Sequence, residues 1–309
     1  MSTTRVRQQG EEQLLTWLSS YSKDAVFNRE HDRMRAQHAI VRATMQDRLI
    51  HAPVHATAPS PELHILDSAC NDGTWMLDII MDRTTQLQVQ PDIKLNFLGT
   101  DLDQKHFSDL DLGSTLPSNV SIAFQVQDIS QPWPDDLSSK FDLVHQRFAL
   151  QYLGDSDESA RQAVARLVNL VQPGTGWVQL GEADIVGWAE GGNVDLPALR
   201  RGKQMTEDFC AKLNINTHSF QSLRRWLKET AAVGVEVKEF AVPMGWKTEL
   251  GRKGLLSRVN GSGLGTVQEL VEYFGAYRNG DILALCGCLG SKACSIAERA
   301  FIWKPLYMS

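Results

Sequence analysis

The feature that most constrains this chain is a short apolar strand that runs into a turn of small residues and then a helix, His64-Ile-Leu-Asp-Ser-Ala-Cys-Asn-Asp-Gly-Thr-Trp75. Small residues in such a turn let the backbone approach a ligand closely, and the following helix N-terminus offers unpaired N–H groups. A second apolar strand ends in another acid, Asp101. A tight turn after one strand and an acid after the next suit a ligand that contains a ribose.

Strand and helix patterns alternate from residue 63 onward. The pattern predicts strands at residues 63–67, 96–101, 122–126, 141–145 and 177–181, and helices at residues 73–82, 104–110 and 157–171. This order indicates βαβ units and a largely parallel sheet, in which ligands bind beyond the carboxyl ends of the strands. The residues just after each strand are therefore the candidates for a functional site.

The regions on either side of this alternation are mostly helical in pattern. Amphipathic helices are predicted at residues 13–20 and 28–50, followed by a proline-containing linker. Beyond residue 190 the patterns predict helices at 190–233 and 266–290, an alternating strand at 235–242 and a closing strand at 300–303. We expect three parts: an N-terminal helical cap and linker (1–61), a ligand-binding core (62–190), and a lid or substrate region with the closing elements of the sheet (191–309).

Composition narrows the possible partners and compartment. The net charge of −6 gives no electrostatic reason to expect nucleic acid or an anionic membrane as a partner. The chain has no apolar run of membrane-spanning length, and its first twelve residues lack the apolar core of a signal peptide, so a cytoplasmic location is expected. Three of the five cysteines cluster at Cys286, Cys288 and Cys294, where small buried residues are favoured over a metal site, and no metal is expected.

With these motifs the chain resembles the class I methyltransferases that use S-adenosylmethionine (SAM), and more narrowly the LaeA-like fungal methyltransferases of secondary metabolism. The resemblance covers about residues 28–250. Four stretches carry the resemblance: residues 65–75 preceded by 30–38 and 49–53, residues 98–102, residues 128–134 with 141–147, and residues 242–246. It implies a Rossmann-like α/β fold, with a mostly parallel seven-stranded sheet, helices on both faces, N-terminal helices and a C-terminal helical lid.

The resemblance also implies a set of cofactor contacts at the strand ends. Asp67 orients the turn, Asp101 binds the ribose hydroxyls, and Asp128 accepts from the adenine amino group. The full set of implied SAM contacts is Asp67, Ala69, Asn71, Gly73, Trp75, Asp101, Leu102, Asp128, Ile129 and His145. Most relatives have three glycines where this chain has Ala69, Asn71 and Gly73. Asparagine tolerates left-handed backbone better than most residues, so the turn is still expected to form.

A nicotinamide dinucleotide is the alternative ligand for such a turn. Its pyrophosphate would be placed at the helix N-terminus, where Asp72 would repel it. SAM instead presents a ribose, an adenine and a cationic sulfonium, and needs no phosphate-binding amides. The acids of this chain therefore favour SAM.

The catalytic and substrate residues are weaker predictions. His145, at the end of the fourth strand, and His38 are candidate general bases, and each has the alternative of a buried, hydrogen-bonded histidine with a structural role. The candidate substrate contacts are Arg147, Gln151, Trp188, Met244 and Trp246, each of which has a structural alternative as a helix cap or a core residue.

The function predicted on these grounds is transfer of a methyl group from SAM to oxygen or nitrogen of a small natural product. The substrate is expected to be apolar or aromatic, and the protein to be a monomer or a homodimer. Two further alternatives stay open beside a nicotinamide oxidoreductase. The same cofactor site would serve a non-methylating reaction such as a cyclisation, and a LaeA-like domain would also serve as a regulator that acts through protein contacts.

Overall fold

The computed structural model describes residues 24–54, 62–90, 92–107, 116–154, 156–184, 204, 207–208, 210–242 and 301–308. The helices in these residues are α1 (Asp24–Thr44), α2 (Thr74–Met81), α3 (Arg83–Gln86), α4 (Asp157–Asn169) and α5 (Ser219–Lys228), with short 3-10 helices at Gln104–His106, Asp135–Leu137 and Leu150–Leu153. The strands are β1 (Glu62–Ser68), β2 (Lys94–Asp101), β3 (Val120–Val126), β4 (Leu143–Arg147), β5 (Trp177–Ala183), β6 (Glu236–Val237), β7 (Phe240–Val242) and β8 (Phe301–Met308).

The sheet has a parallel centre. Five strands run parallel in the order β3-β2-β1-β4-β5. On the β5 side, β8 pairs antiparallel with β5, and β6 pairs antiparallel with β8. The strand order reverses beside β1, so the end of β1 is the topological switch point where ligands bind in such sheets. The prediction of a Rossmann-like parallel sheet is confirmed, whereas the described sheet has eight strands rather than the predicted seven, because β7 also pairs with β8.

The described residues belong to two compact units, each made of discontinuous segments. The first unit contains α1 and β7, which are in contact, and a small buried cluster of Cys210, Leu213 and Ile215. The second unit contains residues 45–183 and 218–239 with most of β8, and therefore holds the parallel sheet. The ends of β1, β2, β3 and β4 all lie in this second unit.

Two separate hydrophobic clusters pack against the sheet because neighbouring residues of a strand face opposite sides. In β1, Leu63 and Ile65 belong to the first cluster, together with the buried residues of α2. Leu66 belongs to the second cluster, which contains the buried faces of α4 and α5. Helices therefore cover both faces, as the resemblance implied.

Two buried glutamines fix the segment that precedes β1. The Leu49 N–H donates to Gln86 Oε1 at 2.7 Å. The carboxamide of Gln179 accepts from the His51 N–H at 2.9 Å and donates to the Leu49 carbonyl at 2.7 Å. The 49–53 stretch, one of those that carry the family resemblance, is thus held against the sheet by paired amides.

Several element boundaries differ from the sequence predictions. The fourth strand begins two residues later and runs to Arg147, because its ladder with β1 and β5 continues past the apolar residues. The helix predicted at 28–50 ends at Thr44, since Gln46 and Asp47 have left-handed backbone with φ of 55° and 61°. The strand predicted at 235–242 is interrupted between β6 and β7.

The helices predicted at 13–20 and 266–290 and most of the predicted linker lie outside the described residues. In the part of the chain that the structure describes, no helix is both long enough and apolar enough to cross a membrane.

Candidate functional site

The turn after β1 has left-handed backbone at three alternate positions. The φ angles are 56° at Ala69, 50° at Asn71 and 72° at Gly73. A side chain in this region costs about 1–2 kcal/mol, which is the physical reason that glycine suits all three positions. Asn71 offsets part of that cost, because its Oδ1 accepts from the Asp72 N–H at 2.7 Å. The prediction that asparagine supports this turn is confirmed by its backbone conformation.

Asp101 joins the ends of β1 and β2. Its Oδ2 accepts from the Asn71 N–H at 2.9 Å, and its Oδ1 accepts from the Leu102 N–H at 2.7 Å. The Cys70 N–H donates to the Thr100 carbonyl at 2.8 Å and adds a second link between the two strand ends. Burial raises the pKa of Asp101, and this effect is opposed by nearby His106 and by the backbone N–H donors. The carboxylate that is predicted to bind the ribose therefore also holds the turn in place.

The groups at the ends of β2 and β3 fit an adenosine. Each oxygen of a carboxylate accepts more than one hydrogen bond, so Asp101 retains capacity for ribose hydroxyls. Asp128 Oδ1 accepts from the Ser130 N–H at 2.8 Å, which orients its carboxylate. Leu102 and Val126 each expose 49% of their surface, so both side chains are accessible to a flat aromatic ring. The sequence prediction included Leu102 and missed Val126, whose exposure only the fold reveals.

Asp72 occupies the N-terminus of α2. It is buried, and its Oδ1 accepts from the Thr74 hydroxyl at 2.6 Å and from the Thr74 N–H at 3.2 Å. An acid at this position uses the favourable end of the helix dipole that a pyrophosphate would otherwise use. The structure thus supports the sequence argument for SAM over a nicotinamide dinucleotide.

His145 lies in the middle of the sheet with its ring held on two sides. Its Nδ1 is 2.7 Å from Asp67 Oδ1. Its ring stacks on the indole of Trp75, with centroids 3.9 Å apart and planes at 1°. Burial lowers the pKa of His145, an effect that Asp67 opposes. The pair places a proton on Nδ1 and leaves Nε2 as the basic nitrogen, which is the arrangement that a general base requires.

The segment after β4 forms a second strained turn. Phe148 has a φ of 60°, a rare conformation for a bulky residue. Its N–H donates to the Gly181 carbonyl of β5 at 2.8 Å. The Arg147 guanidinium lies 5.3 Å from the centroid of the Phe148 ring. Burial lowers the pKa of Arg147 to about 10, so Arg147 keeps its charge at neutral pH.

Glu182 supports this second turn from β5. It is buried, and its carboxyl accepts from the Leu150 N–H at 2.9 Å and from the Ser219 hydroxyl of α5 at 3.4 Å. Burial raises the pKa of Glu182 to about 8, so its carboxyl is mostly protonated at neutral pH. From the sequence, Glu182 was one of two acids following a strand, and only burial separates it from an ordinary loop acid.

The structure says less about the roles of the remaining predicted residues. His38 is buried in α1, in the unit that does not contain the parallel sheet. Gln151 is buried in the 3-10 helix after β4. Trp188, Met244 and Trp246 lie outside the described residues, so their predicted substrate contacts stay predictions.

Comparison with known proteins places this chain among named methyltransferases. No protein-family model matches it. It is 31% identical over 218 residues to N-methyltransferase gliN of Aspergillus fumigatus, covering 71% of this chain and 70% of that one. It is 33% identical over 231 residues to N-methyltransferase sirN of Leptosphaeria maculans, covering 75% and 73%. Among solved structures, the mycolic acid cyclopropane synthase CmaA1 complexed with SAH and CTAB has a TM-score of 0.52 at 12% identity, covering 89% and 85%, which supports the fold alone.

The relatives, the parallel sheet and the acids at its strand ends lead to one family. The resemblance noted from the sequence is therefore confirmed. This chain belongs to the class I SAM-dependent methyltransferases, in the group that includes the fungal N-methyltransferases gliN and sirN, and it is an enzyme whose cofactor is SAM.

Proposed function

We propose that this enzyme methylates a nitrogen atom of a small natural product in fungal secondary metabolism. The observation that carries the proposal is that gliN and sirN, each more than 30% identical to this chain and matched over more than two thirds of its own length, are both named N-methyltransferases. A third named N-methyltransferase, tcpN of Claviceps purpurea, is 36% identical over 164 residues, which cover 52% of each chain. Nitrogen is therefore the better supported choice between the two acceptor atoms expected from the sequence.

The chain offers the groups that such a transfer requires. SAM supplies a methyl group on a sulfonium, and transfer to nitrogen breaks the carbon–sulfur bond, leaves S-adenosylhomocysteine (SAH) and releases the N–H proton to a base. Asp101 and Asp128 would hold the adenosine, and the turn at Ala69, Asn71 and Gly73 would admit it closely. Positioning accounts for most of the rate in such a displacement.

His145 is the proposed base. The carboxylate of Asp67 orients its ring through Nδ1, and its lowered pKa keeps it neutral and able to accept a proton near pH 7. His145→Asn retains a donor for Asp67 and removes the basic nitrogen. The expected result is a transfer rate, measured at saturating SAM, that is lower by about 10²-fold or more. An unchanged rate would show that the histidine is structural.

The reaction itself is tested with SAM that carries a deuterated methyl group. The protein is incubated with a panel of apolar amides and nitrogen heterocycles, each beside its oxygen analogue, and products are analysed by mass spectrometry. We expect the label on nitrogen compounds. Label on the oxygen analogues alone would contradict the choice of nitrogen. A changed product that carries no label would contradict methyl transfer, and failure to bind SAH in calorimetry would favour a regulatory role.

A further inference from the structure

The indole of Trp75 lies against the ring of the proposed base, His145, and the proposed mechanism gives this contact no role. The two rings are parallel within 1°, and their centroids are 3.9 Å apart. Trp75 exposes 3% of its surface and His145 exposes 4%, so both rings are largely removed from water. A cation over an indole face is attracted by the negative potential of the ring, and more strongly where water is excluded. The contact therefore favours the protonated form of the imidazole.

The stacked pair is enclosed by the elements that form the candidate cofactor site. Asp67 and His145 are neighbours in the ladder between β1 and β4, and their side chains are joined at Nδ1 over 2.7 Å. Trp75 is the second residue of α2, the helix that begins directly after the strained turn. On the other side of β4, the β5 neighbour of His145 is the uncharged Gln179. The imidazole thus lies between the end of β1 and the start of α2.

The nitrogen that would receive a proton is available. Asp67 holds the ring through Nδ1, and Nε2 lies across the imidazole from that atom. Among the described residues none hydrogen-bonds to Nε2, and Nε2 is not one of the fully buried polar atoms that lack a partner. Uptake of a proton at Nε2 protonates both nitrogens, so a full positive charge then lies between Asp67 and Trp75.

The charged groups around His145 act on that charge in opposite directions. Burial lowers the pKa of His145, Asp67 opposes this effect, and Arg147 on β4 adds to it. The charge of Asp78 on α2 acts in turn on Arg147. Asp67 contacts the edge of the imidazole at Nδ1, whereas Trp75 covers its face. The carboxylate and the indole can therefore stabilise the protonated ring together.

We propose that Trp75 is a positioning residue for the base: its indole face stabilises the positive charge that His145 acquires when it takes the proton of the methyl acceptor. In this step the nitrogen–carbon bond forms, the carbon–sulfur bond of SAM breaks, and the N–H proton moves to Nε2. The inference rests on the proposed nitrogen methylation and adds a residue that acts on the transition state through the base. A contact that strengthens as charge develops accelerates a reaction, whereas a contact of constant strength does not.

The first test is the pKa of His145 in Trp75→Leu and Trp75→Phe. It is measured by NMR on SAH-saturated protein with ¹³C-labelled histidine, and the signal is assigned by its absence from His145→Asn. We expect the pKa to be lower than in wild type by about 0.5–1.5 units in Trp75→Leu, and by less in Trp75→Phe, which keeps an aromatic face.

Trp226→Phe is the matched control, because Trp226 is also buried but belongs to the hydrophobic cluster on the other face of the sheet. It should leave the pKa of His145 unchanged. A pKa that is unchanged or higher in Trp75→Leu would overturn the inference, since a looser core that admits water raises the pKa of a buried histidine.

A second measurement keeps the shape of the core. Protein grown with 5-fluorotryptophan has indoles of nearly the same size whose faces are less negative, so the pKa of His145 should fall by about 0.2–0.5 unit. The same labelling of Trp75→Phe should leave this pKa unchanged, although its other tryptophans carry fluorine. An equal change in both proteins, or no change in either, would overturn the inference.

The dependence of the transfer rate on pH distinguishes this role from a structural one. A protonated base is inactive, so kcat at saturating SAM falls on the acid side with a midpoint set by His145. In Trp75→Leu this midpoint should move to lower pH by the same amount as the pKa, and the rate at its plateau should fall by about 3–30-fold. A rate that is lower at every pH with an unmoved midpoint would overturn the inference.

The NMR titration needs no methyl acceptor, so it separates this inference from the proposed function. If nitrogen compounds are methylated but the pKa of His145 is the same in Trp75→Leu and wild type, the function stands and the role of Trp75 falls. If the pKa shifts as expected and the deuterium assay finds no transfer to nitrogen, the effect of the indole on His145 stands and the proposed function falls.

Discussion

The turn after β1 and the turn after β4 both contain left-handed backbone, but different contacts stabilise it in each. Both contain a residue other than glycine with a φ between 50° and 60°. In the first turn, small or short polar residues carry the strain, and Asn71 and Asp72 pair with their own neighbours. In the second turn, the strain falls on Phe148, whose support comes from Gly181 and Glu182 on another strand.

The two turns therefore differ in whether their backbone conformation is determined by their own residues or by residues of another strand. The first turn is largely specified locally, by residue types with a known tolerance for left-handed backbone. The conformation of the second turn depends on contacts from β5, and its own residue types do not predict it. Each of the following predictions changes one residue that forms or contacts one of the two turns, in order of decreasing expected effect.

The largest effect is expected from Asp101→Ala. This change removes the predicted ribose contact and also the acceptor for two backbone N–H groups in and beside the first turn. Affinity for SAH should fall by at least about 100-fold, because hydrogen bonds to a carboxylate contribute about 1.5–3 kcal/mol each. Calorimetry measures the affinity, and Asp136→Asn, an exposed acid of the same unit, is the control. Wild-type affinity in Asp101→Ala would overturn the cofactor site.

The next effect is a pH-dependent gain of stability in Glu182→Gln. Glu182 titrates near 4.5 when unfolded and about 8 when folded. Between these values the folded state binds the extra proton, so its contribution to stability is lost as the pH rises. The glutamine does not titrate, and its stability relative to wild type should grow by about 1.4 kcal/mol per pH unit across this window.

Urea unfolding at several pH values measures this difference. Exposed Glu236→Gln provides the baseline and should show little dependence on pH. A Glu182→Gln variant whose relative stability falls as the pH rises would mean that the carboxyl is ionised in the fold. The second turn would then be held by a charge rather than by a neutral acid.

A smaller loss is expected from Gly73→Ala in the first turn. Its φ is 72°, and an added Cβ would lie 3.2 Å from Met76 Cε and 3.3 Å from Phe124 Cζ. The conformation alone costs about 1–2 kcal/mol. Gly174→Ala is the matched control, since its φ is 80° but nothing lies within 4 Å of the added atom. Thermal unfolding should show a larger loss for Gly73→Ala, and equal losses would mean that Met76 and Phe124 adjust freely.

The smallest effect is a gain from Ala69→Gly, which places a glycine where the family resemblance implies one. Relief of the left-handed strain is partly offset by the greater flexibility of glycine in the unfolded chain, which leaves a net gain of about 0.5 kcal/mol. Ala160→Gly, in the buried face of α4, should instead lose stability. A loss in Ala69→Gly would show that the alanine methyl group makes a packing contribution that exceeds the strain.

The strand ends and the turn of the candidate cofactor site could be predicted because their signals are local. The strand that ends at Asp67, the turn and the acid at Asp101 lie within short windows, and the structure brings them together through Asn71 and Cys70. The exposure of Val126 and the hydrogen bonds that Glu182 accepts from Leu150 and Ser219 could not be predicted. They depend on which strands become neighbours and which groups lose contact with water. Neither property can be inferred from a single short stretch of sequence.

The sequence by itself determined the alternation of strands and helices, the strained turn and the acids that suit SAM, because each is a property of residue types at fixed spacing. Only the tertiary structure decided that His145 lies between Asp67 and Trp75, that Glu182 is neutral near pH 7 and that Gln151 has a buried, unpaired oxygen. Those properties arise from burial and from neighbours far away in the chain. Removal from water and long-range pairing decide which of its possible charge and hydrogen-bonding states a side chain adopts.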